Sequence, residues 1–290
     1  MQLLLFRSLW TNGFDLSAAL ADCAGGEFDG VEGPVPEPVG ARRDFLGRLR
    51  DAGVPFIAEI ATGRGYVPQD DSPAGHLEDF RRQAAAALGG APLFITTLAG
   101  CDSWPLAQSV DFFGRAMEVA SSLGIRVSFE THRSRPTFNP WATRELLRQL
   151  PAMRITVDFS HWCCVCERLV VDDEPDILEL CAARADHIHA RVGYAQGPQV
   201  PHPEAPEYGA ELAAHERWWR VILFARARAG CECSTATPEF GPDGYLQAPA
   251  FTVAQVAKLD AINRWMARRQ RGRFARGQAA FLDLQSRREA

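Results

Sequence analysis

Lysine is almost missing from this chain. Of its 31 basic residues only Lys258 is a lysine, and it lies in VAQVAKLDAINRWM with no strand end beside it. Schiff-base chemistry and a phosphate-cradling P-loop both need a placed lysine, so neither fits. No apolar run approaches the roughly 18 residues of a membrane-spanning helix, so no membrane partner is expected. A basic footprint is lacking too. The formal net charge is -5 and the pI about 5.8, which argues against a nucleic-acid binder. MQLLLFRSLW has no basic residues before its apolar run and no small-residue cleavage site. It reads as a first strand rather than an export signal, and a cytoplasmic protein is expected. No Gly-rich fingerprint follows that strand, which argues against a doubly wound dinucleotide-binding sheet.

Cysteine is not scarce, but its pattern is uninformative as a metal site. There are eight. Cys163 and Cys166 have ligand spacing, whereas Cys231 and Cys233 do not match it, and a structural zinc or iron–sulfur site wants two such pairs. With no export signal, reduced thiols are expected. No function follows for the CCVC run at 163–166 beyond lining the start of a helix.

At 290 residues, 47% hydrophobic and 23% charged, the chain can bury one large core. Short β-branched runs alternate with amphipathic stretches along its whole length. Strands are predicted at 3–6, 28–32, 54–61, 93–98, 125–130, 154–158, 187–191 and 234–239. Helices are predicted at 15–24, 39–52, 75–88, 110–123, 139–150, 175–184, 210–229 and 252–271. Asp15 suits an N-cap, and Pro140 suits a first helical turn. Eight such units make an α/β chain of (β/α)8 TIM-barrel type, with residues 1–271 as a single domain. Residues 272–290 form a C-terminal helical extension with apolar Phe274, Phe281 and Leu284, expected to pack on the barrel or on another subunit.

In such a barrel the active site lies at the C-terminal ends of the strands. RITVDFSH at 154–161 puts Asp158 at a strand end and His161 three residues on. A buried carboxylate must be paired, hydrogen-bonded or bound to a metal. IRVSFETH ends a strand at Glu130, DHIHAR carries His187 and His189, and STATPEF ends at Glu239. Two Glu, one Asp and one His on four successive strand ends suit a single divalent cation such as Mn²⁺, Mg²⁺, Co²⁺ or Zn²⁺. For any one of them a salt bridge or a cap is an equal reading. Four in succession favour the metal. His187 and His189 share a face, and His189 is nearer the strand end, which leaves His187 as a barrel-interior residue. His161 either reaches a substrate hydroxyl or hydrogen-bonds a ligand. His132 contacts substrate or caps the next segment. Arg191 holds an oxyanion, or else pairs with Asp186 or Glu204. Glu32 and Glu59 hydrogen-bond a sugar or buttress arginines. Trp10, Trp104, Trp141 and Trp162 either wall a sugar ring or pack in the core, with Trp10 and Trp162 the substrate-side candidates. The loop 193–209 is expected to close over the site, with Tyr194, Gln196, Gln199 and His202 as candidate contacts.

Glu130, the Asp158-Phe-Ser-His161 run, His187-Ile-His189 and Glu239 together resemble the xylose-isomerase-like TIM-barrel superfamily, the sugar phosphate isomerase/epimerase family. The resemblance is clear over strands five to eight and looser over the rest. It implies that Glu130, Asp158, His189 and Glu239 bind one divalent metal. It also implies that Glu130 and Glu239 exchange a carbon-bound proton through an enediolate, with His161 binding substrate. The epimerases' arginine lies further past the metal histidine than Arg191 lies past His189, so that role does not carry over. The partner implied is a small-molecule carbohydrate, and the resemblance favours a homo-oligomer. An alternative is a metal-dependent lyase or dehydratase acting on oxidised sugars, 3-keto-glycosides or inososes. Apurinic endonucleases resemble the chain at Glu130, Asp158, His161 and Glu239, but need histidines where this chain has AEIATG and TTLAG. A barrel that only binds a ligand or partner is the remaining reading.

Overall fold

The computed structural model describes residues 1–242, 244–252 and 254–289, with side chains through 278. Its strands are β1 (Gln2–Ser8), β2 (Gly30–Gly33), β3 (Phe56–Ala61), β4 (Ile95–Leu98), β5 (Val127–Glu130), β6 (Ile155–Val157), β7 (Ala185–His189) and β8 (Cys233–Thr237). Each pairs in parallel with its neighbours in the chain, and β1 pairs with β8, so the sheet closes into an eight-stranded barrel. Parallel strands covered on both faces favour near-continuous apolar runs, as in FIAEIA of β3. The helices are α1 (Leu16–Ala24), α2 (Val39–Ala52), α3 (Pro73–Ala87), α4 (Leu106–Ser122), α5 (Pro140–Gln149), α6 (Ser160–Val165), α7 (Pro175–Arg184), α8 (Gly209–Arg228) and α9 (Leu259–Glu289). The molecule is therefore a (β/α)8 TIM barrel with a C-terminal helix. Among the described residues no helix is long and apolar enough to cross a membrane.

Local chemistry sets the helix ends. Asp15, Ser72 and Asn139 accept hydrogen bonds from backbone N–H groups of the first turns of α1, α3 and α5. Proline opens α3, α5 and α7, where its missing N–H costs nothing. α2 stops at Gly53, whose φ of 63° is left-handed.

Several boundaries depart from expectation: α4 begins at 106 rather than 110, and β8 ends at 237 rather than 239. The predicted helix at 252 begins only at Leu259. The Thr252 hydroxyl donates to the Pro249 carbonyl and accepts from the Ala254 N–H, a local turn that competes with the helix. A six-residue helix, α6, follows Asp158 where only a turn was expected. The seventh strand ends at His189, which leaves Arg191 beyond it. α9 continues past residue 272, and Phe274 packs partly buried against the core. Phe281 and Leu284 lie outside the described side chains.

The barrel interior is layered. Phe6, Ile57 and Phe94 form an apolar floor. Above it, Thr96 donates to Thr156 at 2.8 Å and Thr156 to Ser128 at 3.0 Å. His187 stands over Phe6 and Phe94, with ring centres 6.3 and 5.7 Å away. The charged layer lies above.

Candidate active site

Glu130 ends β5, Asp158 follows β6, His189 ends β7, and Glu239 lies two residues past β8. All four are buried, and one donor atom from each lies within 4.8 Å of the others. Their neighbours orient them. The Asp158 Oδ1 accepts from the Ser160 N–H at 3.0 Å and the Ser160 hydroxyl at 2.5 Å. It thus fixes the start of α6 and leaves Oδ2 for the centre. Arg191 donates to Asp158 Oδ2 at 2.5 Å and lies 3.7 Å from Glu239 Oε2. The same guanidinium bonds the Ser160 hydroxyl and, at 2.6 Å, Nε2 of His161. Its expected partner Asp186 is instead taken by Arg154 and Arg226. Arg191 is therefore a cation inside the carboxylate group, not a bridge to the chain nearby.

His189 has two different sides. Its Nε2 lies 2.9 Å from Glu32 Oε1. Its Nδ1 lies 3.1 Å from Glu239 Oε2 and 3.6 Å from Glu130 Oε1, yet neither is aligned for a hydrogen bond. A buried imidazole nitrogen that faces two carboxylates without an aligned hydrogen bond is the feature that fits a metal. The donor set, three carboxylates and one imidazole, suits Mn²⁺, Mg²⁺, Co²⁺ or Zn²⁺. These four residues can therefore hold a divalent ion.

Electrostatics agree. Glu32, Glu59, Glu130, Asp158 and Glu239 are five buried carboxylates. Burial pushes the Glu130 carboxyl up to about 7, against the attraction of His189. Burial also raises Asp158, in spite of Arg191. Glu59 is raised by burial and by Glu239, Glu32 and Glu130. Burial opposes a charge on His189, but Glu239, Glu32 and Glu130 outweigh it and raise its pKa. Burial, with His132 and Arg191 beside it, lowers His161. A divalent cation would relieve the excess negative charge.

The remaining expected residues divide. His132 stacks on His161 with ring centres 3.9 Å apart, and its Nδ1 meets the Arg133 carbonyl. Glu59 is buried on β3, and burial together with its carboxyl raises the pKa of the nearby Tyr66 hydroxyl. Trp10 is half-buried beside the centre, 6.2 Å from the Tyr66 ring and 5.2 Å from the Tyr245 ring. The Arg191 guanidinium stands 4.7 Å from the Tyr245 ring and 5.9 Å from that of Trp10. Trp162 is not brought to the site. It is fully buried, its ring packs on Phe159, and its Nε1 donates to the Thr137 carbonyl at 2.9 Å. Trp104 packs with His76 and Phe112, and Trp141 donates to Glu174. In the 193–209 loop, Gln199 is spent clamping both backbone groups of Gly241, and His202 faces Trp265. A Cβ at Gly241 would collide with the Trp10 ring, so that clamp seats the indole. In α6, the Cys163 and Cys164 thiols donate back to the Phe159 and His161 carbonyls.

Sequence reading missed Tyr66, Tyr245 and the partner of Glu32. The tyrosines lie in loops after β3 and β8, and position after a strand end was the only signal they carried.

No family model matches the chain, and no curated protein does. Solved structures share its fold. The probable 3-DHS dehydratase AsbF of Bacillus anthracis superposes with a TM-score of 0.57 at 15% identity, over 92% of this chain and 98% of that one. D-allulose 3-epimerase from Methylomonas sp., in complex with D-allulose, gives 0.51 at 13% identity, over 81% and 83%. Endonuclease IV from Thermus thermophilus gives 0.53 at 12% identity, over 84% and 95%. The structural neighbours are xylose-isomerase-like TIM-barrel proteins, and at these identities the likeness is one of fold. One barrel serves an epimerase, a dehydratase and a nuclease, so the reaction has to be argued from the site.

Proposed function

We propose that the chain is a divalent-metal-dependent isomerase or epimerase of keto-sugars or sugar derivatives, in which Glu130 and Glu239 exchange a carbon-bound proton. The observation that carries this is the buried group of Glu130, Asp158, His189 and Glu239 around the unpartnered Nδ1 of His189. A bound cation would supply Lewis-acid stabilisation of the oxyanion charge that develops when a proton leaves beside a carbonyl. The chain's own residues do the rest. Glu130 and Glu239 both approach His189 Nδ1, at 3.6 and 3.1 Å, so two carboxyl groups are available to take a proton and return one. Asp158 is held in position by Ser160 and Arg191. Trp10, Tyr66 and Tyr245 offer ring faces and hydroxyls to a polyol, and restrict water at the centre. Five carboxylates against Arg191 favour an uncharged sugar over a phosphorylated or carboxylated one. The shared fold of a D-allulose epimerase supports a carbohydrate substrate. That of a dehydratase marks elimination as the competing outcome of the same proton abstraction.

The test is solvent exchange. Manganese-loaded protein is incubated in D₂O with neutral ketoses, inososes and their phosphorylated counterparts, and products are read by mass spectrometry. Isomerase or epimerase chemistry gives a product of unchanged composition carrying one carbon-bound deuterium. Glu130→Gln and Glu239→Gln should each slow it about 10²- to 10⁴-fold. Loss of water from the product establishes elimination instead. Exchange with no substrate, or exchange unaffected by both variants, overturns the proposal.

A further inference from the structure

Glu32 sits on β2, across the barrel from His189, and belongs to none of the four donors. It is 1% exposed, so its charge has to be satisfied from within. Its two oxygens have different partners. Oε1 lies 2.9 Å from His189 Nε2. Oε2 meets the Thr237 hydroxyl and lies 3.2 Å from His187 Nε2. His187 is held in turn, with Nδ1 2.7 Å from the Thr235 hydroxyl and Nε2 3.0 Å from that of Thr237.

The protons in this network can be placed by elimination. A carboxylate only accepts, so both Glu32 oxygens need donors. Thr237 gives its hydroxyl proton to Oε2. His187 then shares its Nε2–H between Oε2 and the Thr237 oxygen, and its Nδ1 accepts from Thr235. At Oε1 the sole donor in contact among the described residues is His189, which must carry a proton on Nε2. The atom left over is His189 Nδ1, the one that faces Glu130 and Glu239. We propose that Glu32 is a positioning residue, which holds His189 with its Nε2–H on Oε1 so that the Nδ1 lone pair is presented to a divalent ion among Glu130, Asp158 and Glu239. This rests on the metal reading above and adds a residue to it. Ligating histidines are commonly fixed this way by a carboxylate on the far ring nitrogen, and losing that partner weakens metal affinity about 10- to 100-fold.

Glu59 supplies the control. It is buried close to the same group and is a glutamate like Glu32, but it makes no hydrogen bond to His189 among the described residues. Glu59→Gln and Glu32→Gln each replace a buried carboxyl by an amide, and only the second alters the contact at Oε1. The experiment is calorimetric titration of chelator-stripped wild type, Glu32→Gln and Glu59→Gln with Zn²⁺ and with Mn²⁺. The wild type should bind, Glu32→Gln should bind about 10- to 100-fold more weakly, and Glu59→Gln should change much less. A second measurement needs no variant. A two-bond ¹H–¹⁵N spectrum of the zinc-loaded wild type, with its seven histidines, should show His189 protonated on Nε2 and ligating through Nδ1.

Coordination through Nε2 overturns the proposal, as does equal weakening by the two glutamine variants, which would make Glu32 a remote charge only. Binding of Glu32→Gln as tight as wild type also overturns it, while leaving the metal reading intact. Failure of the wild type to bind either ion overturns both. If Glu32→Gln does not fold, the wild-type spectrum still decides.

Discussion

Replacing Arg191 by methionine tests the charge balance of the site directly. Arg191 faces Asp158 at 2.5 Å and Glu239 at 3.7 Å, and is itself 1% exposed. Methionine keeps much of the volume and removes the charge, which leaves Asp158 buried with the hydrogen bonds of Ser160 and with His161 Nε2 3.7 Å away. Breaking a buried ion pair by deleting one partner costs about 3–5 kcal/mol. In a chain of this size each kcal/mol moves the melting temperature by roughly 2–4 °C, so a fall of about 10 °C is expected in chelator. A divalent ion on Asp158 and Glu239 would replace part of what is lost, so the fall should be smaller in excess Mn²⁺. The two numbers are linked. If the substitution costs about 2 kcal/mol less in the metal-loaded protein, the variant must bind the ion roughly 30-fold more tightly than wild type. Scanning calorimetry with and without Mn²⁺, and a separate metal titration, close that cycle. A loss below about 1 kcal/mol in chelator, or equal losses in both conditions, refutes the view that Arg191 and the ion share these carboxylates.

Two further outcomes follow from groups outside the centre. His215 is buried against Trp218, accepts from the Gly193 N–H through Nε2, and meets the Glu211 carbonyl through Nδ1. Burial lowers its pKa to about 4, so the unfolded chain protonates first as pH falls. Its contribution is complete above about pH 6.5 and is lost toward pH 4, roughly 3 kcal/mol in all. Urea titrations at pH 7 and pH 4 should show His215→Gln losing less stability than wild type between the two, and equal slopes would refute this. Arg135 donates to the carbonyls of Thr62, Gly100, Gly65 and Tyr66, at 2.5–3.0 Å. Arg135→Met should cost roughly 3 kcal/mol or more and speed amide exchange across 62–67, since charge-assisted bonds to buried carbonyls are lost. Unchanged exchange there would show that the loop is held by other contacts.

The four donors were legible because a barrel fixes where a strand end goes. Once ETH, DFSH, HIH and PEF are read as strand ends, Glu130, Asp158, His189 and Glu239 have to converge. What sequence could not supply were partners across the barrel. Glu32 and His189 are 157 positions apart, and no local pattern joins them. For Arg191 the sequence offers Asp186 or Glu204 as partners in place of an oxyanion, whereas Asp186 has arginines of its own and the partner of Arg191, Asp158, follows β6. Trp162 was misread by adjacency. Because α6 begins at Ser160, each residue turns about 100° from the last, so His161 points to the centre while Trp162 points back into the core. The aromatic wall was half read, as Trp10, because Tyr66 and Tyr245 owe their positions to loop geometry rather than periodicity.

Arg191 also bears on which reaction the proposed site suits. A second set of donors, Glu130, His132 and His161, lies beside the first and shares Glu130 with it. Taken as residue types, it invites a further ion and hydrolytic chemistry that spreads charge over several metals. The geometry weighs against that. His161 Nε2 is 2.6 Å from the Arg191 guanidinium, and His132 Nδ1 is turned onto a backbone carbonyl. A second divalent ion at His161 would sit against a fixed positive charge that is fully buried, where repulsion is least screened. Here the guanidinium takes the place that another cation would need. One arginine stands among five buried carboxyl groups, and under the proposed function that acidic lining disfavours a polyanionic substrate and suits an uncharged sugar.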